Sequence, residues 1–317
     1  MIDSAPTTKG AIWAAYEANA GDGHREHLGA SVIGKKCEQA LWYDFRWVTR
    51  TSHPGQLLRR FETGQREESR VVENLRRTGA TVLEVDPETG RQFRVGECGG
   101  HFGGSLDAMI IALREAPHLW HVGEFKTHNA KSFKDLLEKR VRESKPQHFD
   151  QMQVYMHLHW CLWSLYVGVN KDTDDIYIER VKHDGEHAKQ LIAKAARVIF
   201  SLNPTLPKLS ENPSWWECKM CDHHAVCHKT KPVTWANVNC RTCLHSTPTA
   251  EGKWSCEVHK AEIDQVIQRV GCEHHLYIPQ LVGATQVDAS TDWIEYEFKG
   301  RERRRDTGFN KGKLQSV

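Results

Sequence analysis

The sequence predicts an α/β fold, a mixed central sheet flanked by helices, and three observations carry that expectation. Residues 56–77 repeat apolar side chains at helical spacing and stop at Gly79. Residues 81–127 change to short apolar runs, broken by Asp86-Pro87-Glu88-Thr89-Gly90, Gly103-Gly104 and Arg114-Glu115-Ala116-Pro117. Helical patterns then return from residue 132, with one further strand at 175–181. At 317 residues and 39% apolar content, the chain can bury one substantial core with a small appendage, or two domains.

Taken in order, residues 10–50 read as a helix, a break at Gly21-Asp22-Gly23, and a second helix over about 37–47. The helix at 56–77 carries Leu57, Phe61, Gly64, Val71, Val72 and Leu75 along one stripe, and Glu68 falls on that same stripe. A carboxylate on a buried face is costly unless a cation compensates it. Glu68 is therefore a candidate ligand or a member of a metal shell. A hairpin centred between Glu115 and Ala116 sets Asp107 opposite Glu124, with side chains about 5 Å apart on one face. Lys126, two residues on, projects from that face too. A slip of one residue would undo the arrangement.

Helices are expected at 132–139 and 147–166. The second presents Gln151 and Tyr155 at i,i+4 spacing, His148 and His159 on a neighbouring line, and Met152, Met156, Trp160 and Trp163 on the packing side. A strand at 175–181 and a helix at 186–202 complete the core, and Pro204, Pro207 and Pro213 lead into a cysteine-rich region.

The net charge is only +2, so attraction to nucleic acid would have to come from a local basic face. The densest run is Arg301-Glu302-Arg303-Arg304-Arg305 with Lys311 and Lys313, read as either a solvated tail or a phosphate-contacting segment. No apolar stretch approaches the roughly 20 residues that span a bilayer. The N-terminus, with Asp3 in a polar run, lacks the apolar centre of a secretory signal. A cytoplasmic location is expected, where disulfides are unfavoured and ten clustered cysteines ask for metals.

Two carboxylates aimed at one spot repel each other, which a shared divalent cation explains better than packing does. Mg²⁺ or Mn²⁺ on hard oxygen ligands neutralises phosphate charge and activates water, and an adjacent lysine stabilises developing charge. Asp107 and Glu124 are accordingly the expected metal ligands, Lys126 the polar catalytic group and Glu68 a third acidic contributor.

These residues, in the segments Phe61 to Glu68, Gly104-Ser105-Leu106-Asp107, Glu124-Phe125-Lys126 and Gln151-Met152-Gln153-Val154-Tyr155, resemble the PD-(D/E)XK nuclease superfamily. The resemblance is to its RecB-like and phage recombination exonuclease branches and covers about residues 28–230. It implies a restriction-endonuclease-like core and a DNA exonuclease serving recombination or repair in a bacterial or phage setting. Gln151 and Tyr155 would then contact DNA, and a recombinase or single-strand-binding protein would be a further partner. One departure is Gln65, where RecB-like members often carry a metal-binding histidine. It favours the alternative of a catalytically weak scaffold that loads a recombinase or helicase.

Cys218, Cys221 and Cys227 supply three soft ligands, and Cys37 is the obvious fourth. The arrangement resembles the iron-sulfur members of the superfamily, including CRISPR-adaptation nucleases, and implies a 4Fe-4S cluster stapling the two ends of the core. A zinc site with His223, His224 or His228 is the rival. A second group, Cys240, Cys243, Cys256 and Cys272, opens with the spacing of a zinc knuckle, with His259 or His275 competing for the fourth position. The expected organisation is a core with its staple over 1–235, a zinc-binding module over 236–285 and a basic tail over 286–317.

Overall fold

The computed structural model describes residues 7–21, 23–202, 205–229, 236–308 and 315–316. Asp3, Asp22, Pro204, Lys311 and Lys313, named above, lie outside the described residues.

Helix α1 (Thr8–Ala18) starts where the Thr7 hydroxyl accepts the Gly10 N–H, and it buries none of its residues. After β1 (Leu28–Gly29) comes the largely buried α2 (Glu38–Phe45), then the long α3 (Gly55–Arg77). The Glu17 carboxylate of α1 accepts the Gly55 N–H at 2.7 Å and so satisfies an orphan donor at the start of α3. The far end stops at Gly79, whose φ of +94° suits glycine. Only the second half of the predicted stripe is core. Val71, Val72 and Leu75 are buried, but Phe61 is 49% exposed, because the first half faces α1 and solvent rather than the sheet.

Next in the chain are β2 (Thr81–Leu83), β3 (Arg94–Glu97), β4 (Phe102–Ser105), β5 (Ala108–Ile111) and β6 (His121–His128). Helices α4 (Ala130–Ser144) and α5 (Pro146–Leu158) precede β7 (Trp163–Asn170), β8 (Ile176–Lys182) and α6 (Gly185–Phe200). The central sheet runs β2-β5-β6-β7-β8. Only β6 and β7 are parallel, and α4 and α5 form the crossover that parallel neighbours require. The β5–β6 ladder pairs Ala108 with Gly123, Met109 with Val122 and Ile110 with His121. That is the predicted register. Nearer the tip, Leu113 bridges Ala116, so Pro117 to Trp120 holds two surplus residues before the ladder begins.

The run Ser105 to Ile111, which reads as one strand after the Gly103-Gly104 break, is divided: Ser105 ends β4, which pairs with β1 and β3 in a separate three-stranded sheet, and the chain bends between β4 and β5. The cause is at the bend itself. Leu106 is fully buried and donates its N–H to Phe93, while the Asp107 carboxylate, not a backbone carbonyl, accepts the Phe125 N–H at 2.9 Å. The helix predicted over 147–166 stops at Leu158, and its last residues open strand β7. A strand buried on both faces reads as a continuous apolar run, which periodicity does not separate from a buried helix. Met152 and Met156 are fully buried as predicted, whereas Trp160 is 95% exposed at φ +55°.

The C-terminal part holds a small sheet of β9 (Ser246–Pro248), β10 (Trp254–Cys256) and β11 (Ala261–Ile263). A second sheet contains β12 (Thr285–Ala289), β13 (Ile294–Glu297), β14 (Arg303–Asp306) and β15 (Gln315–Ser316). Arg301 to Arg305 is thus ordered, not a solvated tail. Arg305 bonds Glu295 at 2.8 Å and covers the Trp293 ring at 4.0 Å, and Arg303 lies 3.5 Å from the same buried carboxylate. One apolar cluster runs from Leu28 to Tyr296 and joins this part to the rest. At the junction Arg241 donates to the carbonyls of Phe45 and Glu26 and to Gln268, with its guanidinium 3.7 Å over Trp47. Among the described residues, no helix is long and apolar enough to cross a membrane.

Candidate active site

Strand β6 places Glu124, Lys126 and His128 on one face by simple alternation. Asp107, fixed at the bend by its bond to the Phe125 N–H, reaches that face from the neighbouring chain segment. The Lys126 ammonium is ion-paired with Glu124 and lies 3.6 Å from Asp107 Oδ2. From α5, Gln151 Nε2 donates to Glu124 Oε2 at 3.0 Å and lies 3.3 Å from the Tyr155 hydroxyl. That hydroxyl sits against Gly104, where an added Cβ would stand 2.4 Å away, so only glycine leaves it room.

Glu68 faces the cluster from α3. Burial raises its carboxyl to about 7, with Asp107 adding to the rise and Lys126 opposing it. Burial likewise pushes Glu124 up to about 8, against Lys126 and with Asp107 and Glu68. Burial works against the Lys126 ammonium, but Glu124, Asp107 and Glu68 outweigh it and hold the lysine protonated. Three carboxylates thus face one cation, and desolvation makes the surplus charge expensive.

Glu68, Asp107 and Glu124 do not stand grouped as they would around a metal ion, but the chemistry of the donors suits a divalent cation on two grounds. The oxygens are hard and carry excess negative charge. In addition, the fully buried Glu124 Oε1 accepts no hydrogen bond of regular geometry, the Lys126 ammonium being its ion-pair partner.

Glu68, Asp107, Glu124 and Lys126 therefore come together. Gln151 and Tyr155, expected to contact DNA, are instead buried and absent from the lining of the nearby cavity, with Gln151 bonded to Glu124 and Tyr155 bonded to Gln151, and Gln65 is exposed. Glu68 and Lys126 also line a cavity of about 360 Å³, together with His128, Lys145 and His148 among others, whereas Asp107 and Glu124 are not part of its lining. Sequence reasoning assigned no role to His128, Lys145, His148 or Tyr166. The usable signals were strand period, which sets His128 two residues beyond Lys126, and helix spacing, which sets His148 three before Gln151.

Each predicted cysteine set lines a single cavity. Cys37, Cys218, Cys221 and Cys227 face one of about 530 Å³, together with His223, whose Nε2 lies 2.9 Å from Asp44. Cys240, Cys243, Cys256 and Cys272 face another of about 40 Å³, beside His259 and His275. Burial raises the Cys227 and Cys240 thiols to about 11 and Cys243 to about 12. Among the described residues, however, no three or more His, Cys, Asp or Glu side chains stand grouped as they would around a metal ion. Trp216 lines the first cavity but is 65% exposed.

No family model and no curated protein matches the chain. Among solved structures, that of SSO0001 is similar at a TM-score of 0.40 and 15% identity, covering 70% of this chain and 94% of that one. The alkaline exonuclease LHK-Exo of Laribacter hongkongensis, alone and in complex with dAMP, gives a TM-score of 0.39 at 15% identity, covering 59% of this chain and 89% of that one.

Proposed function

We propose that the chain is a divalent-metal-dependent nuclease that hydrolyses DNA phosphodiester bonds, with exonuclease action in recombination or repair as its role. The observation that carries this reading is the convergence of Glu68, Asp107 and Glu124 with Lys126 beside an open cavity. Asp107 and Glu124 would hold the Mg²⁺ or Mn²⁺, with Glu68 as the third carboxylate. Such a cation, when bound, neutralises phosphate charge and acidifies water at neutral pH.

The chain's own residues do the rest. Gln151 fixes one oxygen of Glu124, so the carboxylate cannot swing away. Lys126, protonated between Glu124 and Asp107, is placed to donate a hydrogen bond to the attacking water or to the developing oxyanion. Tyr155 supports Gln151 from behind.

The two cysteine sets are read as structural centres of different size. Cys240, Cys243, Cys256 and Cys272, which share a cavity of about 40 Å³, would hold a single Zn²⁺. The 530 Å³ cavity has room for a 4Fe-4S cluster on Cys37, Cys218, Cys221 and Cys227. Elemental analysis of anaerobically purified protein tests this directly: about four irons and one zinc per chain are expected, and protein without iron or zinc would refute both sites.

The functional test is incubation of the full chain with end-labelled linear DNA and Mn²⁺. Product that a chelator abolishes is expected. DNA binding without product would select a scaffold instead.

A further inference from the structure

The cavity that Glu68 and Lys126 line carries two unlike sets of side chains. One is acidic, with Glu67 and Glu68; the other carries Lys145, His148 and His128. The Tyr166 hydroxyl lies 2.9 Å from His128 Nε2 and 2.9 Å from His148 Nδ1. His128 spends its other nitrogen on Ser132 Oγ at 3.1 Å. His148 differs: its Nδ1 is engaged, and no hydrogen bond to its Nε2 occurs among the described residues. Burial and the nearby lysines hold His128 at about 4 and His148 at about 3, so both imidazoles are neutral.

Lys145 is the charged member. Its Nζ lies 3.4 Å from Asp135, but Lys139 holds the other oxygen of that carboxylate at 2.6 Å. One carboxylate shared by two ammoniums leaves the Lys145 charge only partly compensated, on a side chain 13% exposed that also donates to the Ser144 carbonyl at 3.1 Å. In the tautomer in which Tyr166 accepts from His128 Nε2 and donates to His148 Nδ1, the His148 proton sits on Nε2, and that N–H beside the ammonium makes an anion-binding pair that can donate to two oxygens of one phosphate.

We propose that Lys145 and His148 form a phosphate subsite, which takes the backbone phosphate next to the scissile one on a bound DNA strand. Tyr166 and His128 are its positioning residues. This rests on the nuclease reading, and it sets the strand's path: from the acidic set, across Lys126, to the first turn of α5.

The test uses the full chain and a fluorescent single-stranded oligodeoxynucleotide, with binding measured in chelator and cleavage in Mn²⁺. Lys145→Met should weaken binding about tenfold and lower the slope of log Kd against log salt by about 0.7, the loss of one single-strand phosphate contact. Lys145→Arg should keep the slope. Tyr166→Phe should raise KM severalfold with kcat within about twofold, a split that loss of stability alone would not give. Wild-type affinity and slope in Lys145→Met would overturn the subsite while leaving the nuclease reading intact if that variant still cleaves. Altered slope without cleavage by the wild type would sink the nuclease reading and keep the subsite. Absence of binding by the wild type would sink both.

Discussion

At the scale of single residues, the surplus negative charge around Lys126 explains both the expected activity and a cost in stability. Glu124 is buried and its carboxyl is raised to about 8, with Glu68 raised to about 7. A carboxyl raised above its unfolded value contributes stability that is whole below about pH 4.5 and is lost as pH climbs through the folded value. Metal-free protein should therefore lose stability between about pH 5 and 8 relative to Glu124→Gln. Thermal melts of both in chelator check this, and a difference in Tm that does not change with pH would contradict it. The neutral His128 and His148 act in the opposite sense below about pH 6.5, and comparison with the variant cancels them. Glu124→Gln should melt no lower than wild type yet lose cleavage. Lys126→Ala should cut kcat by about 10²–10³-fold, the usual cost of a lost charge-stabilising donor. The convergence of Asp107, Glu124 and Lys126 was legible in the sequence from the hairpin register and strand alternation, although Asp with Glu-x-Lys alone is a common pattern and gained weight only from the segments around it. His148 and Tyr166 were not, since their pairing joins α5 to a strand that sequence periodicity had made part of a helix.

Among the elements, α3 followed the sequence in its extent because its stop at Gly79 is clear, and β6 because turn signals bound it, although His121 to Phe125 are buried on both faces. The region after Leu158 did not, since Leu165, Tyr166, Val167 and Val169 are buried without alternation. The bend at Leu106 and Asp107 was also hidden: it depends on a side-chain carboxylate doing a carbonyl's task. One element-scale contact invites a test. The Tyr155 hydroxyl occupies the space a Cβ at residue 104 would need, so Gly104→Ala must push Tyr155, and through it Gln151, off Glu124. Displacements near 1 Å in such sites cost about 100-fold in rate. Circular dichroism should stay native while kcat falls at least tenfold, and unchanged kcat would show that Tyr155 does not position Glu124.

For the whole molecule, the sequence divides the chain near residue 235 into a core and a zinc-binding module, and one apolar cluster runs across that division from Leu28 to Tyr296. Arg241 shows why. Its three bonds reach Phe45, Glu26 and Gln268, and Arg46 answers by donating to the carbonyls of Arg241 and Ser246. Losing the guanidinium strands buried carbonyls at about 1–3 kcal/mol each. Arg241→Met should therefore lower the melting of the whole chain in one transition. Two transitions, with the nuclease part unmoved, would show that the parts are independent.

The most direct measurement of the central claim is Mn²⁺ binding to wild type, Asp107→Asn and Glu124→Gln, followed alongside cleavage of labelled DNA. The account predicts that wild type binds Mn²⁺ and cleaves, and that each variant loses both together while keeping its fold. Mn²⁺ binding and cleavage undiminished in both variants would contradict it.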